Sequence, residues 1–343
     1  MTIEPSQMRR EIVEIPDAVA RLLDEGDSAL REAGRAIRAR NPHFVVTVAR
    51  GSSDHAATFL KYAIELTAGL AVASVGPSIA SIYGAKLRLN GAACLAISQS
   101  GKSPDIVAMA EQARAGGALT IALTNTAGSP LALASDHAID ILAGAEKSVA
   151  ATKSFVNSAV AGLALMAHCI DDAELLAALN ALPDCLREAI ACDWSPLAKA
   201  LDQSTSLFIL GRGPSFAMAN EAALKLKETC SMHAEAYSAA EVMHGPMALV
   251  GPGFPVLALA SRDASEQSVA QAVDGLAAKG ASALATTDLL QVASKLPFAK
   301  TGHPLTDPLS LIVSFYAFVE AFARQRGLDP DQPRNLRKVT ETL

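Results

Sequence analysis

The stretch FVVTVARGSS, residues 44–53, recurs later in the chain as SLFILGRGPS, residues 206–215. Each copy is a β-branched and aromatic run followed by Arg-Gly, one further residue and Ser. Arg50 and Arg212 lie 162 positions apart (212 − 50). Self-similarity at one fixed spacing indicates that a folding unit has been duplicated.

Two further apolar runs in the first half have counterparts at the same offset. They pair 94–98 with 256–260, and 119–124 with 281–286. Helical patterns fill the intervals, for instance at 54–67, 104–115 and 221–230. Short apolar strands separated by helices are typical of parallel sheets covered on both faces. The sequence therefore predicts an α/β fold of two tandem three-layer α/β/α sandwiches with parallel, flavodoxin-like sheets.

The expected domain limits follow from this duplication. We interpret Pro183, Trp194 and Pro196 as interrupting the helical segments between the two halves. The predicted division is a helical lead-in at 1–34, a first sheet domain at 35–170, a helical linker at 171–200, a second sheet domain at 201–326 and a C-terminal tail at 327–343.

Composition restricts the class of protein. The 343 residues are 50% hydrophobic and 19% charged, which is ample for a large core. A net charge of −6, with lysines and arginines scattered along the chain, disfavours nucleic acid as a partner. The N-terminus does not resemble a signal peptide, and the longest apolar stretch, near 159–170, is too short to span a membrane. We expect a cytoplasmic protein without a membrane partner.

The five cysteines fall at no metal-ligand spacing, and we expect reduced thiols. His233 and His244 are too far apart to form a metal-binding pair on one helix face. The sequence therefore predicts no metal.

The first half contains a candidate anion site in AACLAISQSGKSP, residues 92–104. A buried strand that ends in a hydroxyl-rich, glycine-containing turn before a helix directs N–H and O–H groups at one spot. We interpret the turn at Ser98, Gln99, Ser100 and Gly101 as a phosphate cradle. An ordinary polar turn between strand and helix is the alternative.

Two nucleotide motifs are disfavoured. A P-loop would need glycine five residues before Gly101, where Ala96 stands. A dinucleotide fingerprint starting at Gly211 would need glycine at Phe216. In the second copy, the offset maps the cradle onto Ala260, Ser261 and Arg262, so we expect only one such cradle per chain.

The second half carries a polar cluster of its own. Glu221, Lys225 and Glu228 have spacings that place them on one helix face. An exposed helix with an ion pair is one interpretation, and a carboxylate base with a neighbouring cation is another. His244 ends a helical run before Gly-Pro and could carry a proton at neutral pH, although a structural role is also open.

Together these stretches resemble the sugar isomerase (SIS) family, in particular the isomerase half of glucosamine-6-phosphate synthase and the stand-alone amino-sugar-phosphate deaminases. The resemblance covers residues from about 10 to 340. It is carried by SQSG at 98–101, EKSVAATK at 146–153, EAALKLKE at 221–228, HAEAYSAAEVMHGP at 233–246 and DQPRNLRK at 331–338.

The resemblance implies roles for individual residues. Glu228 would shuttle a proton between C1 and C2 of the sugar, Lys225 would face the same carbons, and His244 of a neighbouring subunit would open the sugar ring. Lys338 would close over the open-chain sugar and could form a Schiff base with its carbonyl. Residues implied in phosphosugar binding are Ser53, Ser98, Gln99, Ser100, Ser103, Glu146 and Val149. A homodimer without metal or organic cofactor is implied.

The expected activity is conversion of an amino-sugar 6-phosphate to a ketose 6-phosphate and ammonia, with glucosamine 6-phosphate as the expected substrate. Ammonia-dependent synthesis and another phosphosugar isomerase or deglycase are alternatives, and a sugar-phosphate sensor is an alternative of another class. We expect no glutaminase domain, because residues 1–34 are too few to form one before the first repeat. Ala151 and Met243 stand where the synthase has serine and lysine, which bears on the sugar contacts.

Overall fold

The computed structural model describes residues 4–338. Residues 1–3 of the predicted lead-in and 339–343 of the predicted tail lie outside them. Contacts divide the chain into two compact units. The first-sheet unit comprises residues 14–146 and 151–183 with Arg337 and Lys338, and the second-sheet unit comprises residues 4–13, 147–150 and 184–336. The predicted domain limits stay predictions.

Strands and helices alternate along most of the chain. The strands are β1 (Phe44–Val48), β2 (Val72–Ser74), β3 (Ala92–Ile97), β4 (Leu119–Thr124), β5 (His137–Asp140), β6 (Ser206–Gly211), β7 (His233–Ser238), β8 (Pro255–Ala258), β9 (Ser282–Ala285) and β10 (Ser294–Lys295). The helices are α1 (Gln7–Val13), α2 (Ile15–Glu25), α3 (Asp27–Arg40), α4 (Ser52–Ala68), α5 (Ser78–Ser81), α6 (Pro104–Ala115), α7 (Pro130–Ala134), α8 (Lys153–Ile170), α9 (Ala173–Ile190), α10 (Ser195–Leu201), α11 (Pro214–Cys230), α12 (Glu266–Ala277) and α13 (Asp307–Gln325).

The two sheets have the same strand order. The first is β2-β1-β3-β4-β5, and the second, β10-β9-β8-β6-β7, is that order counted from the opposite edge. The ladders are parallel throughout. Chain order therefore reverses at β1/β3 and again at β6/β8, as in flavodoxin-like sheets. The predicted α/β fold with two parallel, flavodoxin-like sheets is confirmed.

The first sheet is covered on both faces by apolar helices. On one face, Val46, Cys94 and Ala96 pack in a buried cluster with Ile106 and Met109 of α6. The long helix α8, 94% buried, packs against α2, α3 and α4. Among the described residues, α8 is the one helix that is long and apolar enough to cross a membrane by length and composition. It begins at Lys153, so it is longer than the apolar stretch 159–170 that the sequence indicated. Its burial is that of a core helix.

Close approach of α3 to α8 depends on a glycine. A Cβ atom at Gly34 would lie 2.9 Å from the carbonyl oxygen of Leu165 and from the Cβ atom of His168. Such distances are too short for any side chain. Gly34 therefore lets the backbones of these helices come together.

The interpretation that Pro183 interrupts a helix is wrong, because Pro183 lies inside α9. Proline removes one backbone hydrogen bond from a helix interior. The leucines at 175, 179, 182 and 186 on both sides of it are fully or almost fully buried. Burial of this apolar stripe on both sides of Pro183 offsets the lost hydrogen bond.

The second sheet also has two different covered faces. Helix α11 packs on β6, β7 and α13. On the other face, Phe208 and Leu210 share an apolar cluster with Val269 and Val273 of α12. This arrangement is the three-layer sandwich that the sequence predicts.

Candidate functional site

In the first-sheet unit the loops after β1 and β3 leave the same edge of the sheet. The two strands pair in parallel, with Val48 opposite Ala96. This edge, at the carboxyl ends of the strands where chain order reverses, is where open α/β sheets bind ligands. Ser53 in the first turn of α4 and the loop at 98–103 therefore belong to one switch point.

The loop after β3 is shaped by its own hydroxyl groups. Oγ of the buried Ser98 accepts the N–H of Gly101 at 3.2 Å, and Oγ of Ser100 accepts the N–H of Lys102 at 3.3 Å. Each hydroxyl keeps its own proton for donation. Gly101 has φ +62°, and a Cβ there would lie 2.1 Å from Oγ of Ser129. Only glycine fits this turn.

Helix α6 begins directly after the loop. Ser103 occupies its N-cap position without a side-chain capping bond, so its hydroxyl is not used by the helix. A helix N-terminus presents free N–H groups and a partial positive charge to an anion. Gln99, Ser100 and Ser103 are all partly exposed. The geometry is suited to a phosphate group.

Sequence reasoning missed a cation at this edge. Arg50, two residues after the end of β1, donates to Oδ2 of the buried Asp105 at 2.9 and 3.0 Å and keeps half of its side chain exposed. The repeated Arg-Gly-x-Ser pattern was the available signal for it.

The equivalent switch point of the second sheet carries a different group. Arg262, which corresponds to Ser100, is paired with Asp307 and donates to the carbonyl oxygen of Thr286. Its guanidinium also lies 4.1 Å from the ring centre of Phe298. Burial raises the pKa of the Asp307 carboxyl despite the opposing charge of Arg262. An arginine whose charge is compensated by Asp307 thus lies at the position that corresponds to the serine cradle of the first half.

The polar cluster on α11 is buried, so the exposed-helix interpretation is wrong. Glu221 and Lys225 have no exposed side-chain surface, and Glu228 is 19% exposed. Nζ of Lys225 lies 2.5 Å from Oε2 of Glu228 and 3.3 Å from Oε1 of Glu221. Tyr316 of α13 donates to Oε1 of Glu221 at 3.1 Å. Tyr316, distant in sequence, was not predicted.

Electrostatics keep Lys225 charged. Burial alone would lower the pKa of the Lys225 amine. The charges of Glu221 and Glu228 and the hydrogen bonds that Lys225 donates to them outweigh burial, so that pKa is raised. Lys225 is therefore a cation at neutral pH. Glu228, the member with exposed surface, is the one available for chemistry.

His244 and Glu228 lie on opposite faces of the second sheet. His244 is exposed at the end of the 3₁₀ turn Glu241–His244, and Val242 of that turn packs in the α12-side cluster. Glu228 belongs to α11 on the other face, near the amino end of β7. The turn that carries His244 and the helix that carries Glu228 therefore pack on opposite faces of the sheet.

Glu146 and Lys338 meet in the first-sheet unit. Nζ of Lys338 lies 2.9 Å from Oε2 of Glu146, whose side chain is completely buried. The backbone N–H groups of Thr152 and Ser154, at the start of α8, both donate to Oε1 of Glu146 at 3.0 Å. The structure therefore joins two residues that the sequence assigned separately.

Residues 147–150 belong to the second-sheet unit and are held by α1. The buried Glu11 accepts the N–H of Lys147 at 2.5 Å and the N–H of Ser148 at 3.3 Å. This fixes the backbone next to Val149. Within residues 4–338, the buried Oγ of Ser148 has no hydrogen-bond partner. Neither Glu11 nor Ser148 was predicted, because their roles depend on contacts across more than 130 positions.

The family of this chain can be decided by comparison with known proteins. The model of the SIS domain matches residues 40–168 and 200–293, which contain the first sheet, the strands β6 to β9 of the second sheet and both switch points. The chain belongs to the SIS domain family. The matched segments also contain the loop after β3 and the α11 cluster, so both candidate sites are parts of SIS domains.

The SIS relatives include larger proteins. The glutamine–fructose-6-phosphate aminotransferase (isomerizing) of Aeropyrum pernix is 35% identical over 98% of this chain, and the chain spans 57% of that relative's length. The homology is to the isomerase half of such aminotransferases.

Solved SIS structures match over almost the full chain. A Silicibacter pomeroyi protein provisionally named a phosphosugar isomerase is 58% identical, with a TM-score of 0.93, covering 95% of this chain and 100% of that one. The C-terminal domain of the Francisella tularensis glucosamine-fructose-6-phosphate aminotransferase is 25% identical, with a TM-score of 0.84, covering 96% and 99%.

Proposed function

We propose that this SIS protein is a phosphosugar enzyme that converts glucosamine 6-phosphate and water to fructose 6-phosphate and ammonia. The observation that carries the proposal is the buried Glu221–Lys225–Glu228 cluster, in which a cation is held 2.5 Å from a partly exposed carboxylate. The SIS relatives named for isomerases and aminotransferases support the same class of substrate.

The chemistry requires a base beside a cation. In the open-chain aldose, Glu228 removes the proton from C2, and the electron pair moves to form an enolamine with charge on the C1 oxygen. Lys225, held charged by its two carboxylates, stabilises that charge. Glu228 then returns the proton to C1, which leaves a C1 hydroxymethyl group and an imine at C2.

Ammonia leaves in the second stage. The ammonium group of Lys338 gives one proton to the nitrogen of the C2 imine and so becomes a neutral amine. That amine adds to C2, one of its protons moves to the former imine nitrogen, and ammonia leaves, giving a protonated Schiff base between C2 and Nζ. Water then adds to C2 and releases Lys338, so that fructose 6-phosphate forms with overall consumption of one water. The ion pair of Lys338 with the buried Glu146 supports the proposed role of the tail in catalysis.

The phosphate would bind at the β1/β3 switch point. Ser98, Ser100 and Ser103 offer hydroxyl protons there, at the start of α6. Gln99, Ser53 and the backbone of Val149 complete the set of expected contacts. These groups would fix the far end of the sugar while C1 and C2 react.

Ring opening is assigned to His244 of a second subunit. Within one chain His244 and Glu228 lie on opposite faces of the second sheet, which supports donation across a homodimer interface. Met243 and Leu249, on either side of Gly245, are exposed apolar residues that such an interface would cover.

The direct experiment is incubation of the protein with glucosamine 6-phosphate, followed by separate enzymatic assays of ammonia and fructose 6-phosphate. We expect both products in equal amounts. Galactosamine 6-phosphate tests the epimer, and fructose 6-phosphate with ammonium tests the reverse direction. If none of these reactions proceeds, the proposed activity is wrong.

A variant separates an enzyme from a sugar-phosphate sensor. We expect Glu228→Gln to reduce turnover at least a thousandfold, within the range for loss of a general base, and to leave binding of glucitol 6-phosphate unchanged. Glu235→Gln, which alters a partly buried carboxylate paired with Tyr237, is the matched control and is expected to be fully active. Full activity of Glu228→Gln would remove the base from the mechanism.

A further inference from the structure

Glu146 has four donors arranged around one carboxylate. Oε1 accepts the N–H groups of Thr152 and Ser154, and Oε2 accepts Oγ of Ser154 at 2.7 Å and Nζ of Lys338 at 2.9 Å. Both backbone donors belong to the N-terminus of α8, which favours negative charge. The carboxylate is saturated and oriented before any substrate binds.

Among the described residues, Lys338 is the lysine whose amine contacts Glu146. Lys153, the first residue of α8, is directed elsewhere: its Nζ lies 2.5 Å from Oε2 of Glu14 and 2.9 Å from the carbonyl oxygen of Ala145. Lys338 keeps a quarter of its side chain exposed, whereas Glu146 is inaccessible. Glu146 is therefore not accessible from solvent, and it contacts the amine of Lys338, which belongs to the tail.

A second observation at the same place points to a ligand. Among the described residues, Oγ1 of Thr152 is fully buried and has no hydrogen-bond partner, although its backbone N–H is bound to Glu146. Buried hydroxyls in native proteins are nearly always paired. A polar group of the bound molecule would satisfy it next to the Lys338 amine.

We infer that Glu146 is the positioning residue of Lys338: it docks the tail lysine as an ammonium group at the N-terminus of α8, where that amine meets the sugar carbon. Glu146 is not the base of the reaction, because its four donors leave the carboxylate no role in accepting a further proton. The catalytic part of this inference rests on the proposed function, while docking of the tail does not.

Docking is tested without any substrate. The 343-residue protein is treated with limiting acetic anhydride, and acetylation of Lys338 is measured by peptide mass spectrometry relative to the exposed Lys102 of the same molecule. We expect Glu146→Gln to raise the Lys338/Lys102 ratio at least fivefold and Glu146→Asp to give an intermediate ratio. Glu14→Gln removes the carboxylate that pairs with Lys153 in the same region and is expected to leave the ratio unchanged.

Catalytic positioning is tested by trapping. Borohydride reduction in the presence of fructose 6-phosphate is expected to attach the sugar to Lys338 in wild type. We expect the yield of this adduct to be at least tenfold lower in Glu146→Gln. The kcat of the variant should fall by a similar factor, while its KM should stay within threefold of the wild-type value. Circular dichroism checks that the variant is folded. If Glu146→Gln does not fold, Ser154→Ala replaces it. This variant removes one donor to Glu146 and keeps the carboxylate charge, so we expect a smaller rise in the acetylation of Lys338.

The outcomes separate the two claims. If Lys338 of Glu146→Gln is acetylated no faster than in wild type, docking by Glu146 is wrong whatever the activity. If acetylation rises but wild type itself traps no sugar at Lys338, the proposed Schiff base is wrong and the docking role stands. Wild-type trapping that is undiminished in Glu146→Gln overturns the catalytic positioning.

Discussion

The hydroxyl group of Tyr316 donates to Oε1 of Glu221 across 95 positions of sequence, and the same oxygen lies 3.3 Å from Nζ of Lys225. Glu221 is thus bound on two sides and buried, while Glu228 shares Lys225 but retains exposed surface. The two carboxylates beside one lysine are therefore not equivalent. Glu221 is held on two sides, whereas Glu228, the base in our proposal, keeps exposed surface.

Lys225→Met is expected to destabilise the second-sheet unit strongly. The substitution leaves the buried charge of Glu221 uncompensated, and breaking a buried ion pair in this way costs about 3–5 kcal/mol. Trp194, the sole tryptophan of the chain, is buried in this unit, so its fluorescence in urea measures the change. Lys227→Met, two residues away on the exposed side of α11, is the control. It loses one hydrogen bond, from Nζ to the carbonyl oxygen of Ala234 at 3.0 Å, and should cost only about 0.5–1.5 kcal/mol. Equal stability of the two variants would contradict the ion-pair argument.

Gly101→Ala is expected to weaken phosphosugar binding at least tenfold. The backbone at φ +62° disfavours a side chain by about 1–2 kcal/mol, and the new Cβ would also collide with Ser129 and distort the loop. Gly128→Ala has a similar φ of +70° but no atom within 4 Å, so it isolates the backbone cost from the collision. Calorimetric titration with glucitol 6-phosphate should show normal affinity for the second variant only. Normal affinity of both would mean that this loop does not hold the phosphate.

Ser148→Ala is expected to make the protein more stable and less active. Its buried hydroxyl has no hydrogen-bond partner within residues 4–338, and such a group costs about 1–3 kcal/mol. Removing it should raise the melting temperature, measured by calorimetry, while KM for the phosphosugar rises. Ser158→Ala removes a buried hydroxyl that does have a partner, the carbonyl oxygen of Ser154 at 2.7 Å, and should lower the melting temperature. A lower melting temperature in Ser148→Ala would show that its hydroxyl is bonded after all.

The stabilising effect of Glu146 should depend on pH in acid. Burial alone would raise the pKa of this carboxyl, but the charge of Lys338 and hydrogen bonds from Ser154 and Thr152 lower it below 4.5. A carboxyl with a lowered folded-state pKa stabilises the protein above its unfolded pKa, and that contribution is lost as pH falls through the folded value. Wild type should therefore exceed Glu146→Gln in unfolding free energy above about pH 4.5, and the difference should shrink below it. Urea denaturation from pH 3 to pH 7 measures this, and a constant difference would contradict it.

The sequence was sufficient for the sheets because their pattern is local and repeated. One offset relates β1 to β6, β3 to β8 and β4 to β9, and the equal strand orders follow. The site was only partly predictable. Lys225 and Glu228 share a helix face, so their spacing in the sequence was enough to predict that they lie together. The partners of Glu221 and Glu146 come from 95 and 192 positions away, and no local pattern encodes such contacts. Pro183 was misinterpreted because buried leucines on both sides override a local helix breaker.

Each chain should bind one phosphosugar at saturation. The duplication gives two switch points, but at β6/β8 the pairing of Arg262 with the almost completely buried Asp307 fills the place of Ser100. An arginine neutralised in this way does not attract a phosphate group, whereas the β1/β3 loop offers free hydroxyl protons. Titration with glucitol 6-phosphate should give a stoichiometry of one per chain. Arg262→Ala should lower stability by about 3–5 kcal/mol, because Asp307 loses its partner, and leave both stoichiometry and affinity unchanged. Loss of half the sites in Arg262→Ala, or two sites in wild type, would mean that the second switch point also binds phosphate.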